Sequence, residues 1–254
     1  MSNIRLEKLT PQIAEIVLDK PERRNALDVS MMDEMNALLI QADNDEDIRV
    51  VLLKGTGSHF CAGADMKSAP AGGYTIDQKH ITLRKYNRVV KTILSMEKPV
   101  ISVVRGYAVG GGMSLALCCD IIFASTDAKF FGNFVKAGIV PEMGAMMILP
   151  QLIGLNRAKE IWFEGQTVDG QRAYELGIAN RVCPPETVES EALAFAQTLA
   201  EMPRLAMGIT KRVTNATVLS GIDALLECEQ QASPFCGSTD EFKLRREAFL
   251  NKNK

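Results

Sequence analysis

The sequence predicts an α/β fold with parallel sheet strands, and three observations predict it. Short runs rich in β-branched residues recur along the first part of the chain, amphipathic helical patterns separate them, and beyond about residue 185 the strand-like runs stop. Strands that alternate with helices are the pattern of a parallel sheet covered by helices.

The strands are expected at 12–19 (QIAEIVLD), 49–55 (RVVLLKG), 99–106 (PVISVVRG) and 120–125 (DIIFAS). Each is short, apolar and closed by Gly, Asp or Ser, as a buried strand should be. Between the first two, Asp28 is placed to cap a helix whose Met32, Met35, Leu39 and Ala42 share one face. Residues 77–96 repeat the pattern with Tyr86, Val89, Val90, Ile93 and Leu94, and Lys98-Pro99 ends it. The segment 67–78, KSAPAGGYTIDQ, has no periodicity and reads as a loop, either a functional one on a rigid core or a plain surface connection. From 185 onward PETVESEALAFAQTLAEMP and the charged DEFKLRREAFLNK read as helices. The division expected is a core over 1–190 and a helical region over 191–254.

At 254 residues the chain can bury one large core, and its 46% hydrophobic and 24% charged content is ordinary for an enzyme-sized protein. A net charge of −2 provides no global attraction to nucleic acid or to an anionic membrane. Cys61, Cys118, Cys119, Cys183, Cys228 and Cys236 form no C-x-x-C pair, and only His59 and His80 accompany them. They read as reduced thiols, with no metal site. The N-terminus lacks a signal-peptide pattern and no apolar run is long enough to span a bilayer, so a cytoplasmic protein is expected.

Two turns carry the chemistry. VRGYAVGGGMSLALCCD, at 104–120, sets Gly110, Gly111 and Gly112 between a strand and a helix. Close packing explains one of these glycines well and three poorly. A helix start left bare for a ligand oxygen explains all three, because its N–H groups are unpaired. The run fits neither G-x-G-x-x-G nor a P-loop. A second strand ends similarly in VVLLKGTGSHFCAGADMK, with Gly63 and Ala64. Two such turns can aim two N–H groups at one point, as an oxyanion hole does.

HFCAGADMK and KPVISVVRGYAVGGGMSLALCCDIIFAS, with PERRNALD at 21–28, GIVPEMGA at 138–145 and RAYELGIANRVCP at 172–184, resemble the crotonase, or enoyl-CoA hydratase/isomerase, superfamily. The motifs fall in the family's order across most of residues 4–190. The resemblance implies a spiral of ββα units with a C-terminal helical trimerisation region, assembled as a homotrimer or hexamer. It implies an acyl-CoA substrate and no cofactor, coenzyme A being part of the substrate. Oxyanion-hole N–H groups carry over to Ala64 and Gly111, and the coenzyme path to Arg24, Ala26, Leu27, Ala64, Asp65, Met66 and Lys67. Arg23 is a further candidate for the phosphates, whereas Lys252 and Lys254 read as solvated charges.

Hydratases of the family hold water between two glutamates, at positions where this chain has Ser114 and Phe134. The carboxylate left is Glu142 in GIVPEMGA, with apolar Phe134, Val140, Met143 and Met146 expected around it to favour its protonated form. A lone carboxylate suits double-bond migration, with Glu142 moving the proton. The alternatives are hydration or dehydration, with Ser114 helping to hold water, and hydrolysis or dehalogenation through Glu142 as nucleophile. A non-enzymatic acyl-CoA-binding or RNA-binding role is the reading from another class. Asp65 is expected to brace its turn, Asp120 to cap, and His59 to sit exposed in a loop.

Overall fold

A computed structural model describes residues 3–70 and 73–252, so part of the 67–78 loop (Ala71 and Gly72) and Lys254 lie outside the described residues. A six-stranded sheet runs β1 (Ile4–Thr10), β2 (Ile13–Leu18), β3 (Val50–Gly55), β4 (Val100–Val104), β6 (Ile121–Ser125) and β9 (Arg181–Cys183) in that spatial order. The β1–β2 pair is antiparallel and the other pairs are parallel. A second sheet joins β5 (Tyr107–Val109), β7 (Lys129–Phe131) and β8 (Thr167–Asp169).

The two sheets grow together. Strand β4 enters the large sheet, β5 the small one, and α3 (Gly111–Leu117) follows; β6, β7 and α4 (Phe134–Ala137) repeat the unit. Single bridges carry the small sheet backward along the chain, Cys61 pairing with Ala108 and Leu27 with Ala64. Thus β2, Leu27 and α1 (Val29–Asn44) form one ββα turn, and β3, the 61–64 segment and α2 (Ile76–Ser95) the next. Stacked units of this kind make the spiral expected from the resemblance.

The large sheet is covered on both faces, so β2 and β4 are buried throughout. On one side Met31, Met32, Met35 and Leu39 of α1 and Val89, Val90 and Ile93 of α2 join the main core. On the other, α8 (Val188–Ala200) lays Ala192, Ala196 and Ala200 against Ile13, Val50, Ile101 and Phe123. Spacing by four keeps these small residues on one helix face, so the helix approaches the sheet closely. The expected boundary at 190 therefore falls inside α8.

Asp28 accepts from the Met31 N–H at 3.0 Å as the N-cap of α1, as expected. Helix α2 begins at Ile76 behind a capping box of Thr75 and Gln78, so the expected loop turns helical before its end. Strand β1 was not expected: IRLEKLT alternates apolar and charged residues at the sheet edge. Beyond Cys183 come α9 (Arg204–Val218), α10 (Ile222–Gly237) and α11 (Asp240–Lys252). Helix α10 packs on α2 and on α5 (Ala145–Ile153), the helix after the Glu142 turn.

Candidate active site

The two glycine-bearing turns are laced together. Cys61 N–H donates to the Tyr107 carbonyl and Val109 N–H to the Cys61 carbonyl, both at 2.9 Å. Gly63, at φ 82°, lies so close that a Cβ there would stand 2.5 Å from the Val109 oxygen and 3.4 Å from the Gly111 nitrogen. Neither the Ala64 N–H nor the Gly111 N–H has a backbone acceptor among the described residues. Ala64 is exposed and Gly111 half-buried.

The three adjacent glycines have separate causes. Gly110 takes φ 52°, ψ −119°, a conformation a side chain resists, to start α3. Gly111 offers its N–H. Gly112 packs on the other turn, where a Cβ would meet the Cys61 oxygen at 2.3 Å. Packing thus explains more than the sequence alone indicated.

The expected coenzyme path divides. Asp65 is 8% exposed and braces its turn, receiving the Lys67 N–H, the Arg23 guanidinium at 3.0 Å and the Lys20 ammonium at 3.1 Å. Arg23 is thereby held by Asp65, while Arg24, in left-handed backbone at φ 51°, and Lys67 stay exposed. Met66 is half-buried and Ala26 buried. Leu27 is committed within the fold: its N–H donates to the Gly63 carbonyl, and its own carbonyl receives the Asp65 N–H and the Tyr86 hydroxyl, each at 2.8 Å.

Ser114 is fully buried and its hydroxyl donates to the Gly110 carbonyl at 3.4 Å. Phe134 is buried edge-on to Trp162, beside Gly110. His59 is half-buried rather than exposed; its ring lies 4.7 Å from that of Tyr107, and burial, then the Arg24 charge, lower its pKa. Asp120 accepts from the Val100 N–H and pairs with Lys211 at 2.7 Å, a structural tie between β4 and α9.

Glu142 is 7% exposed, in the turn before α5. Its neighbour Met143 reaches the oxyanion turn, since a Cβ on Gly111 would touch the Met143 sulfur at 3.4 Å. Beside the apolar neighbours expected around Glu142, the fold adds two polar ones. Lys79 Nζ of α2 stands 3.1 Å from Glu142 Oε1, and the Ser233 hydroxyl of α10 donates to the same oxygen. Among the described residues nothing bonds to Oε2. A second carboxylate lies behind: Glu229 of α10, 1% exposed, whose Oε2 accepts from the Gly144 N–H at 3.0 Å. Lys79, Ser233 and Glu229 were not found from sequence; each sits on a helix far from Glu142 in the chain.

Known proteins share this architecture. A family profile described as enoyl-CoA hydratase/isomerase matches residues 9–254. The chain is 31% identical to a short-chain-enoyl-CoA hydratase of Clostridium acetobutylicum, covering 100% of this chain and 97% of that protein. It is 32% identical to a 1,2-epoxyphenylacetyl-CoA isomerase of Escherichia coli, over 94% of this chain and 92% of the other. The crystal structure of an enoyl-CoA hydratase from Mycobacterium avium subsp. paratuberculosis superposes with a TM-score of 0.90 at 25% identity, over 99% and 96% of the two chains. With its ordered motifs, its ββα spiral and these matches, the chain belongs to the enoyl-CoA hydratase/isomerase family.

Proposed function

We propose that the protein is a cofactor-free isomerase of unsaturated acyl-CoA thioesters, with Glu142 as acid and base. The observation that carries the reading is Glu142 itself: one oxygen tied to Lys79 and Ser233, the other without a partner among the described residues, in a turn whose Met143 lies beside Gly111. Glu142 Oε2 takes a proton from C2 of a 3-enoyl thioester. The electron pair moves onto the thioester oxygen, which accepts from the Ala64 and Gly111 N–H groups. The enolate collapses as Glu142 returns the proton at C4, leaving a 2-enoyl thioester of unchanged mass. Each N–H aimed at the developing oxyanion contributes about 2.7–4 kcal/mol to such a transition state.

The buried Ser114 and Phe134, neither of them a carboxylate, favour this over hydration between two glutamates. Arg24 and Lys67, both exposed, are the cations we assign to the coenzyme phosphates. We also take the chain to assemble as a homotrimer or hexamer, on the support of an exposed apolar stripe along α9 described below. Residence in the cytoplasm suits its six unpaired thiols.

Incubation with a 3-enoyl-CoA should raise conjugated-thioester absorbance at constant mass, and Glu142→Gln should lower kcat by about 1000-fold while coenzyme-ester binding persists. Retained turnover in that variant would sink the assignment. A gain of one water from a 2-enoyl-CoA, with no absorbance growth from the 3-enoyl ester, would mean hydration instead.

A further inference from the structure

Helix α10 grips the Glu142 turn at two points. Ser233 and Glu229 are four residues apart and so lie on one helix face. Ser233, fully buried, donates its hydroxyl to Glu142 Oε1. Glu229 accepts the Gly144 N–H two residues further along the same turn. Between the grips the backbone is left-handed twice, Met143 at φ 62° and Gly144 at φ 76°. A methionine does not adopt that conformation without something to hold it.

Glu229 is an unusual choice for a strut. Its Oε1 is buried with no hydrogen-bond partner among the described residues, a cost that an apolar side chain of similar shape would not carry. Burial, first, and the nearby Glu142 charge raise its pKa to about 7, against the pull of the Gly144 and Met143 N–H groups. Other titratable groups around this turn are the Cys118 thiol just past α3 and, on α2, Lys79, which pairs with Glu142, and Tyr86.

We infer that Ser233 and Glu229 are positioning residues for the acid/base Glu142: together they lock the strained 142–144 turn so that Oε2 alone faces the substrate. The inference rests on the reading of Glu142 as the acid/base. Ser233 fixes the rotation of the carboxyl group. Glu229 fixes the backbone that carries it, through its bond from the Gly144 N–H.

The test uses the full chain with 3-hexenoyl-CoA. Ser233→Ala should lower kcat on the order of 100-fold with KM within about threefold, since a misaimed base loses rate rather than binding. Ser233→Thr should restore part of the loss. Glu229→Gln, which keeps a carbonyl for the Gly144 N–H, should lower kcat about tenfold and abolish a step near pH 7 in the pH–kcat profile. Carboxyl-13C NMR of the glutamate-labelled protein should show one signal titrating near pH 7 that disappears in Glu229→Gln, and this decides the matter should Ser233→Ala fail to fold. Ser233→Ala and Glu229→Gln with unchanged kcat and pH profile, beside an inactive Glu142→Gln, would overturn the positioning role alone. An active Glu142→Gln would remove the acid/base reading and the inference with it.

Discussion

At Gly112 an added methyl group would stand 2.3 Å from the Cys61 carbonyl oxygen and 2.8 Å from the Cys61 Cβ, both rigid parts of the facing turn. At Gly111 the same methyl would meet only the Met143 sulfur, at 3.4 Å, the movable end of a flexible side chain. Neighbouring positions should therefore respond differently. Gly112→Ala is expected to destabilise the fold by about 2–3 kcal/mol, and Gly111→Ala by less than about 1 kcal/mol, measured by urea unfolding. Equal losses would mean that the two turns are not packed as described. Single residues also mark where sequence reading stops. Glu142 was legible because it lies within a turn motif of the family. Glu229, in the run LLECEQQ, looks like the solvent face of an amphipathic helix, and only tertiary packing turns it inward. Its bond to Gly144 spans 85 residues, a separation that no local pattern records.

At the level of the element, each α1 feature read from sequence has a counterpart in energy. Burial alone would raise the Asp28 carboxyl, but hydrogen bonds from Ser30, the Lys20 ammonium and the Met31 N–H outweigh it and hold the carboxyl below the ordinary range. A carboxylate held low stabilises the fold fully above its unfolded-state pKa of about 4, and the contribution is lost as pH falls through the folded value. Asp28→Asn keeps the cap acceptor without the charge, so it should flatten the loss of stability on acidification, whereas Asp28→Ala should cost about 1 kcal/mol near neutrality. An unchanged acid limb in Asp28→Asn would show that other carboxylates govern it. The long strands were legible because burial on both faces demands an unbroken apolar run. Strands β5, β7, β8 and β9 have three residues each, too few to show a period, and β1 mixes charge into an edge position.

For the molecule as a whole, helix α9 leaves Leu205, Ile209 and Val213 exposed at 66%, 47% and 57%, spaced by four along one face. Apolar residues aligned in this way on a helix are costly to leave in water, so they support the assembly proposed above. Light scattering should give a mass of three or six chains, and Ile209→Glu with Val213→Glu should reduce it to one; a wild-type protein of single-chain mass would refute the assembly.

The donors assigned to the thioester oxygen belong to the main chain, and this has a consequence for descent. Apart from proline, no side-chain replacement deletes a peptide N–H, so most mutations can reach such a hole only by disturbing the turns that carry it. The groups proposed to choose what becomes of the enolate stand apart, on the 142–144 turn and on the faces of α2 and α10, where one codon changes one group. A lineage built on this plan inherits its electrophile as a fixture and can exchange reactions piecemeal, which accords with relatives at about 30% identity bearing the names of both hydratases and isomerases.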